Sequence, residues 1–579
     1  MPSENKNCQN CKKDFVIEED DFSFYEKIKV PPPTFCPECR LVRRMAWRGE
    51  RFLYKRKCSL TGKSVITSFS EESGVSIVDR DYWWSDKFDS LSYGKDYDFS
   101  KPFFQQWKEL LNTVPSIPLF NAKSFNSPYT NYAGELKNVF MSFGMWGCDD
   151  VMYCSKVVNS KDSLDLYWSI KCDFCYDLVN CQSCYGSKYL VDSVNITTSY
   201  FLFDCRGCTD CFMSSNLRNK QYVFRNIQLS KPEYDKKIKE LNLGSYNSIV
   251  ELKEEFDELC INAVHKYSHQ TNAVNSTGDY FTNTKNCKKS FDLDNAEDCS
   301  YCVSGAAGLK DTHDVYGAGA TAEQMYEVID SGDNGSKLLF SLSCWGGYNV
   351  SYSLFCHNSE NLFGCIGVHK KQYCIFNKQY TKDDYFEIVE KIKKHMDDMP
   401  YVDRRGAKYG FGEFFPGELS PFPYNKTIAQ EYFPVLSEEE THKKGFLWGN
   451  AQETNNKSTM SLENIPDDIK EVSEDILKEA FDCLDSTEFY STKVFNITPG
   501  EFNFYKRMNV PIPRKSPNAR HYERLQKRTP LKLWHRQCMC GKENHPNHQG
   551  QCNVEFETSY APDRPEIVYC EKCYQQEVY

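Results

Sequence analysis

Residues 217–238 read LRNKQYVFRNIQLSKPEYDKKI, and residues 368–389 read VHKKQYCIFNKQYTKDDYFEIV. The two stretches align without a gap. In the numbering of the first copy, the recurring residues are Lys220, Gln221, Tyr222, Asn226, Gln228, Lys231 and Tyr234. The middle of the chain therefore contains two copies of one structural unit.

Aromatic residues ahead of the first copy return at a regular step of 22 to 24 residues. They form two series, Tyr153, Tyr176, Tyr200, Tyr222 and Tyr167, Tyr189, Phe212. Like side chains at a fixed step are typical of stacked coils in a parallel β-solenoid. We predict two solenoid stacks, at 125–228 and 275–379. The second is interrupted at 305–324, where a short helix fits the sequence.

Cysteines are frequent in both predicted stacks. The run CRGCTDC at residues 205–211 resembles a metal-cluster motif. In a stacked coil, however, cysteine is more often a small inward-facing residue than a ligand. We therefore interpret the cysteines of the stacks as core residues.

The two ends of the chain are also copies of each other. FVIEEDDFSFYEKIKVPPP at 15–33 aligns with FNITPGEFNFYKRMNVPIP at 495–513, at a constant offset of 480. The same offset carries LYKRKC at 53–58 onto LWHRQC at 533–538. Each end is therefore a module of two parts.

The first part of the N-terminal module carries two Cys-x-x-Cys knuckles, Cys8 with Cys11 and Cys36 with Cys39. Two knuckles separated by a hairpin-length segment are typical of a tetrahedral four-thiolate zinc site. The C-terminal copy lacks these thiols, and the aligned residues are Glu488, Ser491, Ser516 and Ala519. Only the N-terminal copy is predicted to bind metal in this part.

The second part of the module shows the opposite pattern. The N-terminal copy keeps only Cys58 and has Arg80 and Trp83 where the C-terminal copy has Cys570 and Cys573. The metal site of this part is therefore predicted in the C-terminal copy.

Three thiols compete for the two remaining ligand positions of the C-terminal site. They are Cys538, Cys540 and Cys552, and His545 and His548 lie nearby in GKENHPNHQGQC. We predict that Cys540 and Cys552 complete the site, with Cys538 as the alternative and the two histidines in a polar loop. Four thiolates leave no open position for a catalytic water, so two structural zinc ions are expected.

Each module also contains a row of basic residues next to aromatic ones such as Trp47 and Trp534. The arginines selected as candidate nucleic-acid contacts are Arg40, Arg43, Arg44, Arg48, Arg520, Arg524 and Arg528. Such a strip suits phosphate contact with base stacking. The alternative is that these arginines pair with acidic residues of the stacks.

Composition limits the class of protein. The chain has 579 residues, of which 26% are charged and 15% aromatic, so several folded units are expected. Its net charge of -11 argues against binding nucleic acid over the whole surface. The 28 cysteines, with neither a signal peptide at the start nor a run of ~18 apolar residues, indicate reduced thiols in a cytoplasmic protein without a membrane span.

Several motifs together resemble an uncharacterised family of zinc-ribbon proteins encoded by uncultivated candidate-phyla bacteria. They are CxNCxxxF with PPPTFCPECR, YKRKCSLTGKS, DRDYWWSDKFD, DCRGCTDCF with LRNKQY, GEFFPGELSPFPYN with AQEYFP, and YAPDRPEIVYCEKCYQQEVY. The resemblance covers nearly the whole chain and implies zinc-binding ribbons, but no activity. The segment CMCGKENHPNHQGQC is longer than the simple knuckle typical of the family.

The predicted architecture is mainly β and multidomain, with zinc-ribbon or treble-clef-like terminal modules flanking two duplicated parallel β-solenoid stacks with capping helices. The terminal segments are predicted as a four-cysteine ribbon at 1–57, a metal-free ribbon at 58–99, a metal-free copy of the first ribbon at 491–537 and a zinc ribbon at 538–579. The central segments are helical connectors at 100–124 and 229–274, the stacks at 125–228 and 275–379, a capping helix at 380–396, an aromatic and proline-rich arm with linker at 397–465, and a helix at 466–490.

We expect a non-catalytic scaffold that contacts RNA or a ribonucleoprotein through its ribbon modules and has no small-molecule substrate. The alternative is an assembly protein that binds a protein partner on its solenoid faces. A third hypothesis, a polysaccharide-acting enzyme, would use carboxylates such as Asp162, Asp165 and Asp204, although no spacing singles out a pair.

Overall fold

The computed structural model describes residues 2–305, 308–450, 456–484 and 492–579, and it is mainly β. The chain divides into two compact units. One comprises Met1–Leu119, Ser268–Asn450 and Leu531–Leu533, and the other comprises Phe120–Tyr267, Ala451–Pro530 and Trp534–Tyr579. The N-terminal module thus shares a unit with the second stack, and the C-terminal module shares a unit with the first stack.

The first stack is a series of parallel strands, and from Asp149–Met152 onward each strand pairs with the next along the chain. Before that point, Asn121–Ala122 pairs with Ala133–Gly134 and Thr130–Asn131 pairs with Ser142–Phe143. Its main strands are Asp149–Met152, Lys161–Tyr167, Tyr176–Val179, Lys188–Val191, Tyr200–Phe203, Thr209–Ser215 and Gln221–Phe224, preceded by Asn121–Ala122, Thr130–Asn131, Ala133–Gly134 and Ser142–Phe143. The strand Ile227–Gln228 then pairs antiparallel with Gln221–Phe224 and ends the stack. The register advances by a constant step, as from Leu178 to Leu190 and from Leu190 to Leu202.

Each turn of the stack is built from four triplets, as residues 180–191 show. The first residue of each triplet has a left-handed backbone, with φ of 53° at Asn180 and 54° at Ser183. The second points inward, and Cys181 and Cys184 are at most 2% exposed. The left-handed residue turns the chain after every third position, so one turn closes after four triplets. We call such a turn a rung.

Inward-facing serines satisfy their hydrogen bonds within the stack. The hydroxyl of Ser187 donates to the carbonyl of Tyr185 at 2.9 Å and accepts from the backbone N–H of Ser199, one rung later, at 3.2 Å. Cysteine thiols occupy equivalent places, and Cys181 Sγ contacts the carbonyl of Val179 at 3.3 Å. The run CRGCTDC is therefore three consecutive inward positions, Cys205, Cys208 and Cys211, all 0% exposed.

The step predicted from the aromatic series is wrong, because each rung contains only four triplets and the series advances by about two rungs at a time. The aromatic residues also lie outside the stack interior. Tyr153, Tyr167 and Tyr189 pack with Phe502 and Tyr505 of the C-terminal module in a separate hydrophobic cluster. Each triplet spans roughly 10 Å, and the narrow interior that results suits the small and aliphatic side chains found inside the first stack.

The second stack follows the same plan. Its strands are Gln270–Val274, Gly278–Lys285, Ser290–Asp294, Ala296–Ser300, Val303–Gly305, Leu309–Ala318, Tyr326–Ser331, Ser336–Leu339, Tyr348–Ser351, Glu360–Phe363, Gln372–Ile375 and the antiparallel Lys378–Gln379. Some of its rungs are one residue longer, as the register from Ala296 to Leu309 and from His313 to Tyr326 shows. The helix predicted within 305–324 is wrong for the described residues, because a strand runs through 309–318 and the additional residues are absorbed in the longer rungs.

Each terminal module contains two antiparallel hairpins followed by helices. The hairpins pair Glu4–Asn7 with Asp14–Ile17, Tyr54–Lys57 with Ser64–Thr67, Ala480–Asp482 with Val494–Asn496, and Trp534–Gln537 with Glu555–Thr558. The helices are Glu19–Ile28, Pro37–Met45 and Arg80–Trp83 at one end, and Pro499–Met508, Pro517–Gln526 and Glu571–Val578 at the other. The two modules therefore share one order of elements, as their sequence alignment predicts.

Helices follow both stacks at the predicted places. The remaining α-helices of the described residues are Phe103–Thr113, Lys231–Glu240, Tyr246–Asn262, Lys382–Asp398, Ile428–Tyr432 and Glu438–Lys443. Short 3-10 helices span Glu71–Ser73, Ser90–Tyr93, Gly417–Leu419, Tyr424–Lys426, Leu462–Asn464, Ile469–Glu471 and Glu474–Lys478. Two short strand pairs complete the description, Val264–Lys266 with Ile567–Tyr569 and Tyr401–Val402 with Lys408–Tyr409. None of the helices in the described ranges has both the length and the apolar character to cross a membrane.

The continuous helix predicted at 466–490 is wrong for the part that is described. Two separate 3-10 turns and the strand Ala480–Asp482 occupy it. Side chains compete for the backbone there, because Asp468 accepts from the N–H of Lys470 at 2.9 Å and Ser473 accepts from the N–H of Asp475 at 3.3 Å. Residues 485–490 of the predicted helix lie outside the described residues.

We expect replacement of Leu190 by alanine to reduce the free energy of unfolding by about 2 to 5 kcal/mol, because Leu190 is fully buried between Leu178 and Leu202 on neighbouring rungs. The matched control is Tyr185→Ala on the same rung, whose side chain is 57% exposed and whose loss should cost about 0.5 kcal/mol at most. Urea unfolding followed by circular dichroism measures both. Equal effects would contradict the assignment of inward and outward positions.

Candidate metal centres and the buried arginine clusters

The four cysteines predicted in the N-terminal module come together. Cys8 and Cys11 lie in the turn of the first hairpin, while Cys36 and Cys39 lie at the start of the helix Pro37–Met45. The four sulfur atoms all lie within 4.8 Å of one another. Such a group can hold a metal ion in the way the sequence predicts.

Neighbouring donors make this pocket suitable for thiolates. The backbone N–H of Cys36 donates to Cys8 Sγ at 3.2 Å, and the side-chain amide of Asn10 donates to Cys39 Sγ at 3.2 Å. Hydrogen bonds from the thiols of Cys36 and Cys39 hold the pKa of Cys8 well below its ordinary value. The pKa of Cys39 is raised by its hydrogen bonds with Cys36 and Cys8. A metal ion bound by all four residues would need their thiolate forms.

The C-terminal module also forms a four-cysteine group, but with a different member from the one predicted. Cys538, Cys552, Cys570 and Cys573 place their sulfur atoms within 4.8 Å of one another. Cys540 is not part of this group, so its assignment as the preferred fourth ligand is corrected to Cys538, the alternative. Cys538 directly follows the strand Trp534–Gln537, as Cys8 directly follows Glu4–Asn7.

One backbone hydrogen bond explains why Cys538 takes this place. The N–H of Cys570, at the start of a helix, donates to Cys538 Sγ at 3.2 Å, as Cys36 does to Cys8. The same contact occurs between Asp79 and Cys58 at 3.1 Å in a hairpin that has kept a single cysteine. The offset of 480 between Cys58 and Cys538 was the sequence signal that could have found this ligand.

The metal-free copy in the C-terminal module keeps one cysteine that the alignment missed. Cys483 accepts from the backbone N–H of Ser516 at 3.1 Å and so takes the place of Cys8. Ser516 and Ala519 stand where Cys36 and Cys39 stand in the other module, as predicted. Glu488 and Ser491, the other aligned positions, lie outside the described residues.

The arginines of the N-terminal module lie inside the protein. The helix Pro37–Met45 faces two strands of the second stack, and Arg40 donates from Nε and Nη2 to Asp314 at 3.0 and 2.8 Å. Arg44 Nη1 contacts Glu327 at 2.9 Å and Asp314 at 3.1 Å. The carboxylates of Asp314 and Glu327 are both 0% exposed.

Two further arginines complete this cluster. Arg43 contacts Glu327 at 2.7 Å and Glu413 at 2.9 Å. Arg48 contacts Glu50 at 2.5 Å and Asp330 at 3.1 Å. The cluster therefore links the module helix to the second stack and to the segment that contains Glu413.

The charges of this cluster control each other's ionisation. Burial by itself would raise the pKa of the Asp314 carboxyl, but the charges of Arg40 and Arg44 outweigh burial and hold that pKa below its ordinary value. At Glu327 burial is the stronger influence and raises the pKa, although Arg43 and Arg44 oppose it. Of these two carboxyl groups, Asp314 therefore retains its negative charge more firmly than Glu327 does.

The C-terminal module repeats this arrangement on the first stack. Arg520 Nε contacts Asp165 at 2.7 Å, and Arg524 Nη2 contacts the other oxygen of the same carboxylate at 2.9 Å. Arg528 lies over the ring of Trp168 at 4.8 Å. Arg520 also donates to the carbonyl of Lys515 at 3.0 Å, as Arg40 does to the carbonyl of Phe35 at 2.8 Å.

These contacts decide between the two interpretations of the basic strips. All seven selected arginines are 7% exposed or less. A phosphate group cannot reach guanidinium groups that are buried and already paired with carboxylates or packed on aromatic rings. The prediction that these arginines form a nucleic-acid surface is therefore corrected, and pairing with acidic residues of the stacks takes its place.

The carboxylates considered for glycoside chemistry are engaged in the same way. Asp165 is shared by Arg520 and Arg524, and Asp162 contacts Arg507 at 2.5 Å. Asp204 contacts Arg218 at 3.1 Å and also accepts from the hydroxyl of Tyr574. All three aspartates thus serve as ion-pair partners.

The second part of the N-terminal module covers a row of residues on the second stack. Trp83 packs edge-on against His369, with ring centroids 4.2 Å apart, and Trp84 stacks on the same ring at 5.2 Å. Burial, with a smaller effect from the charge of Lys370, lowers the pKa of His369 to about 4. The sequence identified Trp83 only as a position where the other copy has a cysteine. Its contact with His369 was not predicted, because no local sequence pattern indicates a partner so distant along the chain.

Comparisons with known proteins give little further information. No family model matches the sequence, and no curated protein matches it. A solved structure of a putative acetyltransferase from Desulfovibrio desulfuricans G20 is 10% identical, with a TM-score of 0.10, and the match covers 50% of this chain and 75% of that chain. A likeness this weak carries no argument about fold or activity. The resemblance to a zinc-ribbon family stays a prediction.

We expect Arg44→Ala to reduce the free energy of unfolding by about 3 to 5 kcal/mol, because it leaves the buried carboxylates of Asp314 and Glu327 with less compensation. The matched control is Lys27→Ala in the same module. Lys27 pairs with Asp311 but its side chain is 52% exposed, so its loss should cost less than about 1 kcal/mol. Chemical denaturation measures both variants, and a small effect at Arg44 would show that the cluster does not hold the module.

We expect the free energy of unfolding to fall as the pH decreases from about 6.5 to about 4, by up to about 3 kcal/mol for His369. Unfolded chains bind a proton at this histidine in that range, whereas the folded protein does not. The control is His369→Phe, which keeps the contacts with Trp83 and Trp84 but cannot titrate. All other titrating groups are common to both proteins, so the difference between their stability curves is the measurement. Parallel curves would contradict the neutral buried imidazole.

Proposed function

We propose that this protein is a non-catalytic, zinc-stabilised interaction and assembly protein. In this proposal the two stacks are β-solenoids with rungs of four triplets, and the terminal modules are zinc-containing ribbons of a treble-clef-like kind. Each ribbon packs against one solenoid and holds it as a rigid unit. The outer faces of the solenoids then bind a protein partner.

The observation that carries the proposal is the burial of both arginine rows. Arg40 and Arg44 in one unit, and Arg520 and Arg524 in the other, are used within the protein. The modules therefore have a role in holding the stacks that needs no nucleic acid. This supports the assembly hypothesis over the expectation that the modules grip RNA.

Zinc is the metal that the donor sets favour. Four thiolates in a compact group are typical of structural zinc sites, and a complete tetrahedron leaves no position for a reacting water. The residues that would hold the two ions are Cys8, Cys11, Cys36 and Cys39 in one module, and Cys538, Cys552, Cys570 and Cys573 in the other. The ions would supply folding energy and fix the helix starts at Cys36 and Cys570.

A regular outer face of the first stack is the candidate surface for the partner. Side chains one rung apart form a row through Val158, Ile170, Gln182 and Val194, which pair by isolated bridges. Ile170 is 41% exposed, and Tyr185 beside this row is 57% exposed. Extended repeat faces of this kind suit a protein with a complementary apolar segment.

The proposal is tested by placing a photo-reactive amino acid at Tyr185 in one variant and at Lys236 in another. Lys236 lies exposed on the helix Lys231–Glu240 and is not a member of the row, so it serves as the control. We expect irradiation of cells to give a protein adduct from position 185 only, and the adduct's formation in extracts should be insensitive to salt. An adduct degraded by nuclease, or equal adducts from both positions, would contradict the proposal.

A further inference from the structure

The C-terminal module contains a second group of metal-binding side chains beside its four-cysteine group. Cys540, His545, His548 and Cys573 each offer one donor atom, and these atoms all lie within 4.8 Å of one another. Cys573 therefore belongs to both groups. The predicted interpretation of the two histidines as part of a polar loop does not account for this convergence.

His548 is oriented as a metal ligand. Its Nδ1 lies 2.8 Å from the backbone carbonyl of Gly550. A carbonyl can only accept, so the ring proton is on Nδ1 and the lone pair is on Nε2. Nε2 lies 3.3 Å from Cys573 Sγ, which directs that lone pair into the group.

His545 supplies the second imidazole. Its side chain is largely buried, with the residue 8% exposed, and its Nε2 has no hydrogen-bond partner among the described residues. The ring stacks on His548 with centroids 4.2 Å apart. A buried nitrogen without a hydrogen-bond partner is unfavourable, and coordination to a metal ion would satisfy it. Coordination through Nε2 requires the proton on Nδ1 and so replaces the hydrogen bond that Nδ1 accepts from Asn547.

Cys540 completes the group from the start of the loop, opposite Cys552 at its end. It is 0% exposed, and its carbonyl accepts from the N–H of Cys552 at 2.9 Å, which ties it to the first group. If only one ion were bound, by the four-cysteine group, the thiol of Cys540 and two imidazoles would remain beside it without an ion of their own. Two thiolates and two imidazoles are themselves a typical zinc donor set.

We propose that the C-terminal module holds two divalent ions of the zinc class joined by the thiolate of Cys573. One ion takes Cys538, Cys552, Cys570 and Cys573, and the other takes Cys540, His545, His548 and Cys573. Binding releases the five thiol protons, so five thiolates and two divalent ions leave a net charge of -1 on the centre. Each ion is four-coordinate, which makes the centre structural, and it closes the loop between Cys540 and Cys552.

The first test is the metal content of the purified full-length protein by mass spectrometry. We expect three zinc ions per chain, one in the N-terminal module and two in the C-terminal module. The His545→Ala, His548→Ala double variant should contain two, and so should the control Cys8→Ser, Cys36→Ser, which loses the N-terminal ion. Two ions in the wild type, unchanged in the histidine variant, would overturn the proposal.

The second test needs no variant and addresses the bridge. In protein loaded with cadmium-113, nuclear magnetic resonance should show one isolated signal and two signals split by coupling through the shared sulfur. The signal of the all-thiolate ion should differ from that of the ion with two imidazoles, because the donor atoms differ. Three uncoupled signals, or only two signals, would overturn the shared thiolate.

Discussion

A left-handed residue at every third position is the constraint on which the rest of this structure depends. This residue forms a corner at which the chain changes direction, so a rung has four sides. Each side contributes one inward-facing residue. The inward residues of the first stack, such as Cys181, Ser187 and Leu190, are small or aliphatic. Asparagine and aspartate tolerate this conformation better than most residues, which explains their frequency at the corners. Corner side chains point away from the stack axis, so acidic residues there are available to a neighbour.

The modules dock on those corners through matched spacings. Arginines four residues apart on a helix are separated by about 6 Å along its axis, and neighbouring rungs are separated by about 4.8 Å. A helix laid across the rungs therefore meets an acidic corner with each turn, as Arg40 and Arg44 meet Asp314 and Glu327. Asp314 and Glu327 both have left-handed backbones, with φ of 57° and 49°. Buried ion pairs of this kind contribute less to net stability than to fixing one docking position.

In the N-terminal module the four-cysteine group lies at the start of the helix that carries the arginines. Cys36 is the residue before the helix that carries Arg40 and Arg44, so a metal ion at the four-cysteine group would fix where that helix starts. In the C-terminal module the equivalent helix begins after Ser516, whose hydroxyl accepts from the N–H of Ala519 at 3.3 Å. A side-chain cap thus stands there in the place of a cysteine ligand, while the arginine row is present in both modules. In the first part of each module, the buried ion pairs occur in both copies, whereas the four-cysteine group occurs in the N-terminal copy alone among the described residues.

The sequence by itself determined the duplications, the mainly β class and the four-cysteine group at Cys8, Cys11, Cys36 and Cys39, because each leaves a pattern at fixed spacing. A triplet pattern in CRGCTDC was also present in the sequence, and it gives the spacing of the inward residues but not the number of triplets in a rung. Only the tertiary structure decided that each module packs with the stack distant in sequence, that the arginines are buried, and that Cys538 replaces Cys540. These outcomes depend on which surfaces exclude water together and which backbone N–H groups meet a sulfur atom. Neither is encoded in local periodicity, since an arginine row has the same sequence pattern whether its partner is a phosphate or a carboxylate.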